Sequence, residues 1–388
     1  MDTIIKNNLI LWAREKAGLS QEDFAKKMNV SLEKVAEWES GSAPITMSKA
    51  KHLAKLALIP LGALFADTPP EETLPIPDFR SVKDVAIDKI SPELFEVIRD
   101  AQLKQDWYKE YLLNEEYDRL DFVGSLSISA SPNKAAEIIR THMQLSEDEH
   151  WEKRRNFEES LRFLIEKTEE LGVVVLRNGI VKNNTHRPLN VEEFRGFVLT
   201  DDYAPLIFIN GKDSKSAQIF TLIHEIAHIF LGESGLLDAN MLVDAASLKT
   251  EKYCNQVAAE FLTPKKEFLS IWDKNAIEDE NFDVLSRHFK VSRLVVISRA
   301  FQLKLIDWNT LKRFKAAEYK KFREQKLNRP SGGTHYSNLK YRVSPIVAQA
   351  IISQVNTGKM LYRDAFNMLG VKNKKSLQDF SAKLGVLV

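Results

Sequence analysis

The stretch Thr221 to Leu231, TLIHEIAHIFL, carries three strongly polar side chains, His224, Glu225 and His228, in an otherwise apolar run. In a helix the two histidines lie one turn apart on the same face. Two imidazoles can then share one cation while Glu225, one position round, leans over the open coordination position. Such spacing fits zinc. An ionised Glu in so apolar a segment is costly without a partner, and a bound dication with its water accounts for all three residues together. The competing reading is a core helix with two hydrogen-bonded histidines, because so short a motif also arises by chance.

The neighbouring elements must position this helix. GVVVLRNG (172–179), FRGFVLT (194–200) and PLIFING (205–211) are short, rich in Val, Ile and Phe and bounded by Gly, Asn, Asp or Pro, so they read as strands of a small sheet. Asp213 or Ser214 is placed to cap the motif helix, and Gly232 and Gly235 to end it. An edge strand beside such a helix is free to pair with an extended polypeptide. The next helix is predicted from roughly Leu248 to Phe261, where Asn255 stands one turn beyond Glu251.

Upstream, residues 1–66 predict five short helices. Ser20 with Asp23, and Ser31 before Leu32, Val35 and Trp38, mark two helix starts separated by a tight turn at Asn29-Val30, the shape of a DNA-reading helix-turn-helix. The second helix of that pair exposes Glu33, Lys34, Glu37 and Glu39, whereas phosphate contact needs Lys or Arg, so only Gln21 and Lys34 suit DNA contact. Specific DNA binding therefore competes with a domain serving protein contacts or dimerisation, and any DNA contact is expected to be weak. Asp67 to Asp78, with four prolines and four acids, opens an extended linker over 67–90. Helical patterns then lead through 91–144 and Phe157 to Gly172 into the sheet.

Bulk composition narrows the setting. Lys plus Arg (55) nearly balances Asp plus Glu (54), so no overall field favours nucleic acid or a membrane. The single cysteine, Cys254, excludes an intrachain disulfide framework and fits a reducing compartment. No secretory pattern and no uncharged stretch of membrane-spanning length is present, so a cytoplasmic protein with no membrane partner is expected.

Together FRGF, PLIFIN, FTLIHEIAHIFLG and E-x-x-C-N-x-x-A-A-E-F-L-x-P resemble the ImmA/IrrE family of zinc metallopeptidases, gluzincin-like proteins often fused to a helix-turn-helix domain. GLSQEDFAKKMNVSLEKVAEWESG resembles the phage-repressor class of such domains. Matched residue by residue, the resemblance implies His224, His228 and Glu251 as Zn2+ ligands and Glu225 as general base, with a fourth zinc position left for water. Glu225 would take that water's proton and pass it to the leaving amine. Asn255 is placed to accept from the free imidazole N–H of His224. Cys254 competes with Glu251, since thiolate binds zinc, against an apolar packing role; Glu260 falls on the far side of the helix.

The expected fold is α+β and mostly helical: an all-α helix-turn-helix domain (1–66), a small-sheet-plus-helices zincin-like core within 91–275, a helical subdomain (276–330) and a helical C-terminal region (331–388). The expected function is a cytosolic zinc endopeptidase whose substrate is one specific protein, such as a transcriptional repressor. The alternative is a transcriptional or antitoxin-like regulator using the same fold as a binding module without turnover, and the intact Glu225 favours the enzyme. Arg195, His335 and Tyr336 are candidates for an oxyanion or lid role, against a strand salt bridge for Arg195 and exposed loop positions for the other two. The patterns around Phe282 to Ala300 form a second helix-turn-helix-shaped pair, read as packing. Lys312 to Arg329, with eight basic residues against two acids, reads as a solvated helix face that could also meet nucleic acid or an acidic partner.

Overall fold

A computed structural model describes residues 5–57, 59–70, 91–145, 154–233, 235–237, 249–326 and 342–385. The chain divides into two compact units, Met1–Arg99 and Asp100–Val388. Most of the expected linker (71–90), together with His335 and Tyr336, lies outside the described residues.

In the first unit, α1 (Asn7–Lys16), α2 (Gln21–Met28), α3 (Leu32–Ser40) and α4 (Met47–Leu56) are followed by a 3-10 turn at Leu61–Phe65. Ser20, Ser31 and Thr46 each accept a hydrogen bond from the backbone N–H three residues on, satisfying a donor that the helix start leaves orphaned. Asn29, at φ 51°, closes α2 in the left-handed region that Asn tolerates, which makes the tight turn into α3. Leu9, Phe24, Met28, Val35, Trp38 and Leu53 fill the core between these helices.

The second unit takes over within α5 (Pro92–Asn114) and continues through α6 (Pro132–His142), α7 (Phe157–Glu170), β1 (Val174–Asn178), β2 (Gly196–Leu199), β3 (Leu206–Asn210) and α8 (Lys215–Leu231). Then come β4 (Gly235–Leu237), α9 (Lys249–Leu262), α10 (Lys265–Ile271), α11 (Glu278–Phe289), α12 (Arg293–Gln302) and α13 (Trp308–Lys326). The last three helices are α14 (Pro345–Asn356), α15 (Tyr362–Leu369) and α16 (Lys374–Leu384). Among the described residues no helix is long and apolar enough to cross a membrane.

The sheet order is β1-β3-β2-β4, with β3 parallel to β1 and antiparallel to β2. Strand β4 was not expected. Gly235, read from the sequence as a possible helix stop, instead pairs with Val198, while Gly232 at φ 74° ends the motif helix. Ser214, not Asp213, provides the cap, accepting from Ala217 N–H at 3.2 Å.

Helix α8 packs against α7, α9 and the sheet, and it is buried on nearly every face. A helix enclosed in this way must be apolar all round, which is why its sequence has no polar stripe. At its start Lys215 meets Glu158 of α7 at 3.0 Å, and Arg177 of β1 reaches the same carboxylate at 3.1 Å, so one half-buried cluster ties helix, strand and helix together. Inside, Gln105 of α5 donates to the carbonyls of Leu199 and Ala204, both at 2.8 Å, holding the end of β2 against α5. Helices α11 and α12 form the expected packing pair, burying Phe282, Leu285, Phe289, Val296 and Ile297 in the same core as α8.

Candidate metal centre

Two elements converge on one point. Helix α8 presents His224 and His228 from successive turns, and α9 presents Glu251 from its first turn. The two Nε2 atoms lie 3.1 Å apart. The Glu251 carboxylate straddles them, Oε2 at 3.1 Å from His224 and Oε1 at 3.2 Å from His228. The histidines are buried and Glu251 is nearly so. Two imidazole nitrogens that close cannot both carry hydrogens aimed at each other, and two such nitrogens beside a carboxylate are a donor set that a cation would bind once they are deprotonated. Among the described residues this trio forms the group of His, Cys, Asp and Glu side chains placed to hold a metal ion.

The electrostatics follow from burial. Desolvation in the apolar core lowers the His224 pKa against the pull of the Glu251 carboxylate, which favours the neutral, ligating imidazole. For Glu251 burial acts upward, but the hydrogen bonds and charges of His224 and His228 outweigh it and hold the carboxyl well below the usual range. Burial pushes Glu225 well above that range, with the Glu251 charge adding to the effect. Its Oε1 atom is buried without a hydrogen-bond partner among the described residues. A buried carboxyl oxygen without a partner, next in sequence to His224, is a group that a cation-bound water would satisfy.

The rivals for the third position separate clearly. Cys254 is fully buried in the apolar core, its thiol pushed up by burial and then by the charges of Glu251, Glu225 and Glu233, so it is an inert packing group here. Glu260 faces away and pairs with Arg299 of α12, which also donates to the Thr263 carbonyl at 3.1 Å. Asn255 lies close enough to His224 to favour its charged form. Neither ring Nδ1, however, has a partner of hydrogen-bond geometry among the described residues, so the expected bond from His224 to Asn255 is not made.

Arg195 forms the strand salt bridge, its Nη1 donating to Asp213 Oδ2 at 2.7 Å. In the first unit, the side chains considered for DNA are held by acids of α3: Gln21 Nε2 donates to Glu39 at 2.7 Å and Lys34 Nζ to Glu37 at 2.6 Å. Arg14 joins Glu39 as well, at 2.5 Å.

Two residues that support the site escaped the sequence reading. Gly196 of β2 lies against α8 so closely that a Cβ there would stand 2.5 Å from Thr221 Cγ2, 2.8 Å from the Phe208 carbonyl oxygen and 3.4 Å from Glu225 Oε1. The signal was available, since an isolated Gly inside a strand pattern marks close approach of another element. Its partner Thr221 carried no signal of its own.

Family models match three parts of the chain. Residues 168–301 match the IrrE N-terminal-like domain, Peptidase_M78. Residues 10–62 match a helix-turn-helix domain, HTH_3, and residues 343–383 a domain of unknown function, DUF8813. No curated protein matches the chain. The first match takes in the whole sheet, the motif helix and the Glu251 helix, and the second takes in the capped helices of the first unit; this pairing of domains matches the ImmA/IrrE architecture with an N-terminal helix-turn-helix.

Proposed function

We propose that the central domain is a zinc-dependent endopeptidase acting in the cytoplasm on one specific protein, such as a transcriptional repressor. The observation that carries this reading is the spacing of the three donors. Zinc bonds of about 2.0–2.1 Å in a tetrahedral site set ligand atoms about 3.3–3.4 Å apart; here the two Nε2 atoms are 3.1 Å apart and each lies 3.1 or 3.2 Å from one oxygen of the Glu251 carboxylate. His224 and His228 would hold the ion through Nε2 and Glu251 through its carboxylate. A zinc ion bound there supplies Lewis acidity, polarising a carbonyl and lowering the pKa of water towards 7.

The chain's own groups supply the rest. Glu225, on the same turn as His224, offers its unpartnered Oε1 as the base that takes the proton of the attacking water and returns it to the leaving amine. The apolar walls around it exclude bulk water, which strengthens each charge interaction inside the site. For the N-terminal domain we favour protein contact or regulation over sequence-specific DNA reading, because Gln21 and Lys34 are engaged by Glu39 and Glu37. The test is to incubate the purified chain with candidate repressor proteins from the same genome and follow the products by mass spectrometry. A discrete cut made by the parent and lost in Glu225→Gln supports the peptidase. An uncut regulator that still binds supports a non-hydrolytic regulator.

A further inference from the structure

Beside the metal centre lies a cleft of about 760 Å³. Phe220 and Thr221, preceding His224 on α8, and Asn255, one turn beyond Glu251 on α9, form part of its wall; residues of α11, α12 and α13 form much of the rest. Its carboxylates are already ion-paired, one guanidinium serving three of them. Arg293 holds Asp279, Asp283 and Glu318, and Arg195 holds Asp213. Two cations remain. Lys315, half-buried on α13, and Lys252, exposed on α9, have no hydrogen-bond or ion-pair partner among the described residues. Burial alone lowers the Lys315 pKa, with no neighbouring carboxylate raising it back. Arg195 adds an Nε that is buried without an acceptor. Between these groups the wall is apolar, with Leu294, Phe301, Trp308 and Leu311 facing the space.

A partly desolvated ammonium in an apolar cleft is stabilised by an anion brought to it. We propose that this cleft seats a peptide segment carrying an Asp or Glu side chain, whose carboxylate pairs with Lys315 while flanking apolar side chains cover Phe301 and Trp308. A polynucleotide fits less well, because phosphate binding needs a run of exposed cations, and this wall is largely apolar with its acids interspersed. The assignment takes from the proposed function only that this domain engages a polypeptide, and it does not require hydrolysis.

The experiment uses the full chain with Glu225→Gln, which keeps a probe intact, and a labelled capped peptide of alternating Leu and Glu. The comparison probe has Gln in place of each Glu, and binding is read by fluorescence anisotropy. The Glu peptide should bind at least about tenfold more tightly than the Gln peptide, a difference of about 1.4 kcal/mol. Lys315→Met should remove that advantage, Lys315→Arg should keep most of it, and both variants should bind the Gln peptide as the parent does. Equal binding of the two peptides by the parent, or an undiminished Glu preference in Lys315→Met, overturns the proposal. So does a single-stranded oligonucleotide that binds more tightly than either peptide and is released by Lys315→Met. If the Glu225-intact chain cuts nothing while the Glu-over-Gln contrast persists, the cleft assignment stands and the peptidase reading falls.

Discussion

Gly196→Ala tests how the sheet positions the motif helix. The added methyl would stand 2.5 Å from Thr221 Cγ2 and 2.8 Å from the Phe208 carbonyl oxygen, where ordinary carbon contacts lie at about 3.5–4.0 Å. Thr221 is buried and the Phe208 oxygen is backbone, so neither can swing away, and β2 must separate from its neighbours by on the order of 1 Å. Overpacking of this kind costs about 1–3 kcal/mol, and we take about 3 because one clash is with main chain. For a domain of this size that lowers Tm by about 6–12 °C. Thermal unfolding followed by circular dichroism, with reversibility checked, reads the shift. Thr221→Ser removes the closer contact and leaves the carbonyl clash, so the double variant should recover part of the loss, with a coupling above about 0.5 kcal/mol. A Gly196→Ala chain melting within about 2 °C of the parent, or one that Thr221→Ser fails to relieve, refutes the close approach of β2 to α8.

The purified chain should carry close to one zinc by metal analysis. His224→Ala and Glu251→Ala should lose it, Cys254→Ala should keep it, and Asn255→Ala should weaken binding by about 10-fold or less, given that no bond from Asn255 to the free ring nitrogen is made. Adding zinc at about a hundredfold above its Kd should stabilise the metal-free chain by about 2.7 kcal/mol, and no shift would return the histidines to a purely packing role. Glu225→Gln should abolish peptide hydrolysis in a product assay while retaining zinc, because the residue acts as base and not as ligand. Residues 1–99 should bind DNA weakly, without sequence preference and with a shallow salt slope, so nanomolar selective binding at physiological salt would overturn that reading. Burial raises the Asp201 pKa, but the bond from Lys109 and the backbone N–H groups of Tyr203 and Ala204 outweigh it and lower it overall. The stability from this group is therefore present above the unfolded-state value near about 3.9 and lost as pH falls through the lower folded value; Asp201→Asn should flatten that acid limb in urea midpoints.

Local chemistry was legible in the sequence wherever one short segment decided the outcome. The serine caps of α2 and α3, the strands rich in Val, Ile and Phe, and the apolar run around His224 each follow from residues within a few positions of one another. Strand β4 was not legible, since three residues are too few to show alternation and its partner Val198 lies far back in the chain. Pairings between elements were equally hidden. That Glu39 would take Arg14 and Gln21, or Glu260 take Arg299, depends on helix packing that no periodicity encodes. Lys315 read as one more charge on a basic helix, and only the folded chain sets it half-buried in a cleft whose acids are ion-paired elsewhere.

The division of the three donors between α8 and α9 has a consequence for the newly made chain. His224 and His228 leave the ribosome together, but Glu251 belongs to a later helix, so a truncated or half-synthesised chain holds two imidazoles and no third donor. Helix α8 is meanwhile too apolar to rest in water, and until α9 covers it the emerging segment presents a sticky surface of the kind chaperones shield. Closing α9 over α8 buries that surface and completes the donor set in one movement. If the central domain is the proposed peptidase, all three donors can hold a metal only once α9 has closed over α8, and chain emerging before that point carries an incomplete donor set.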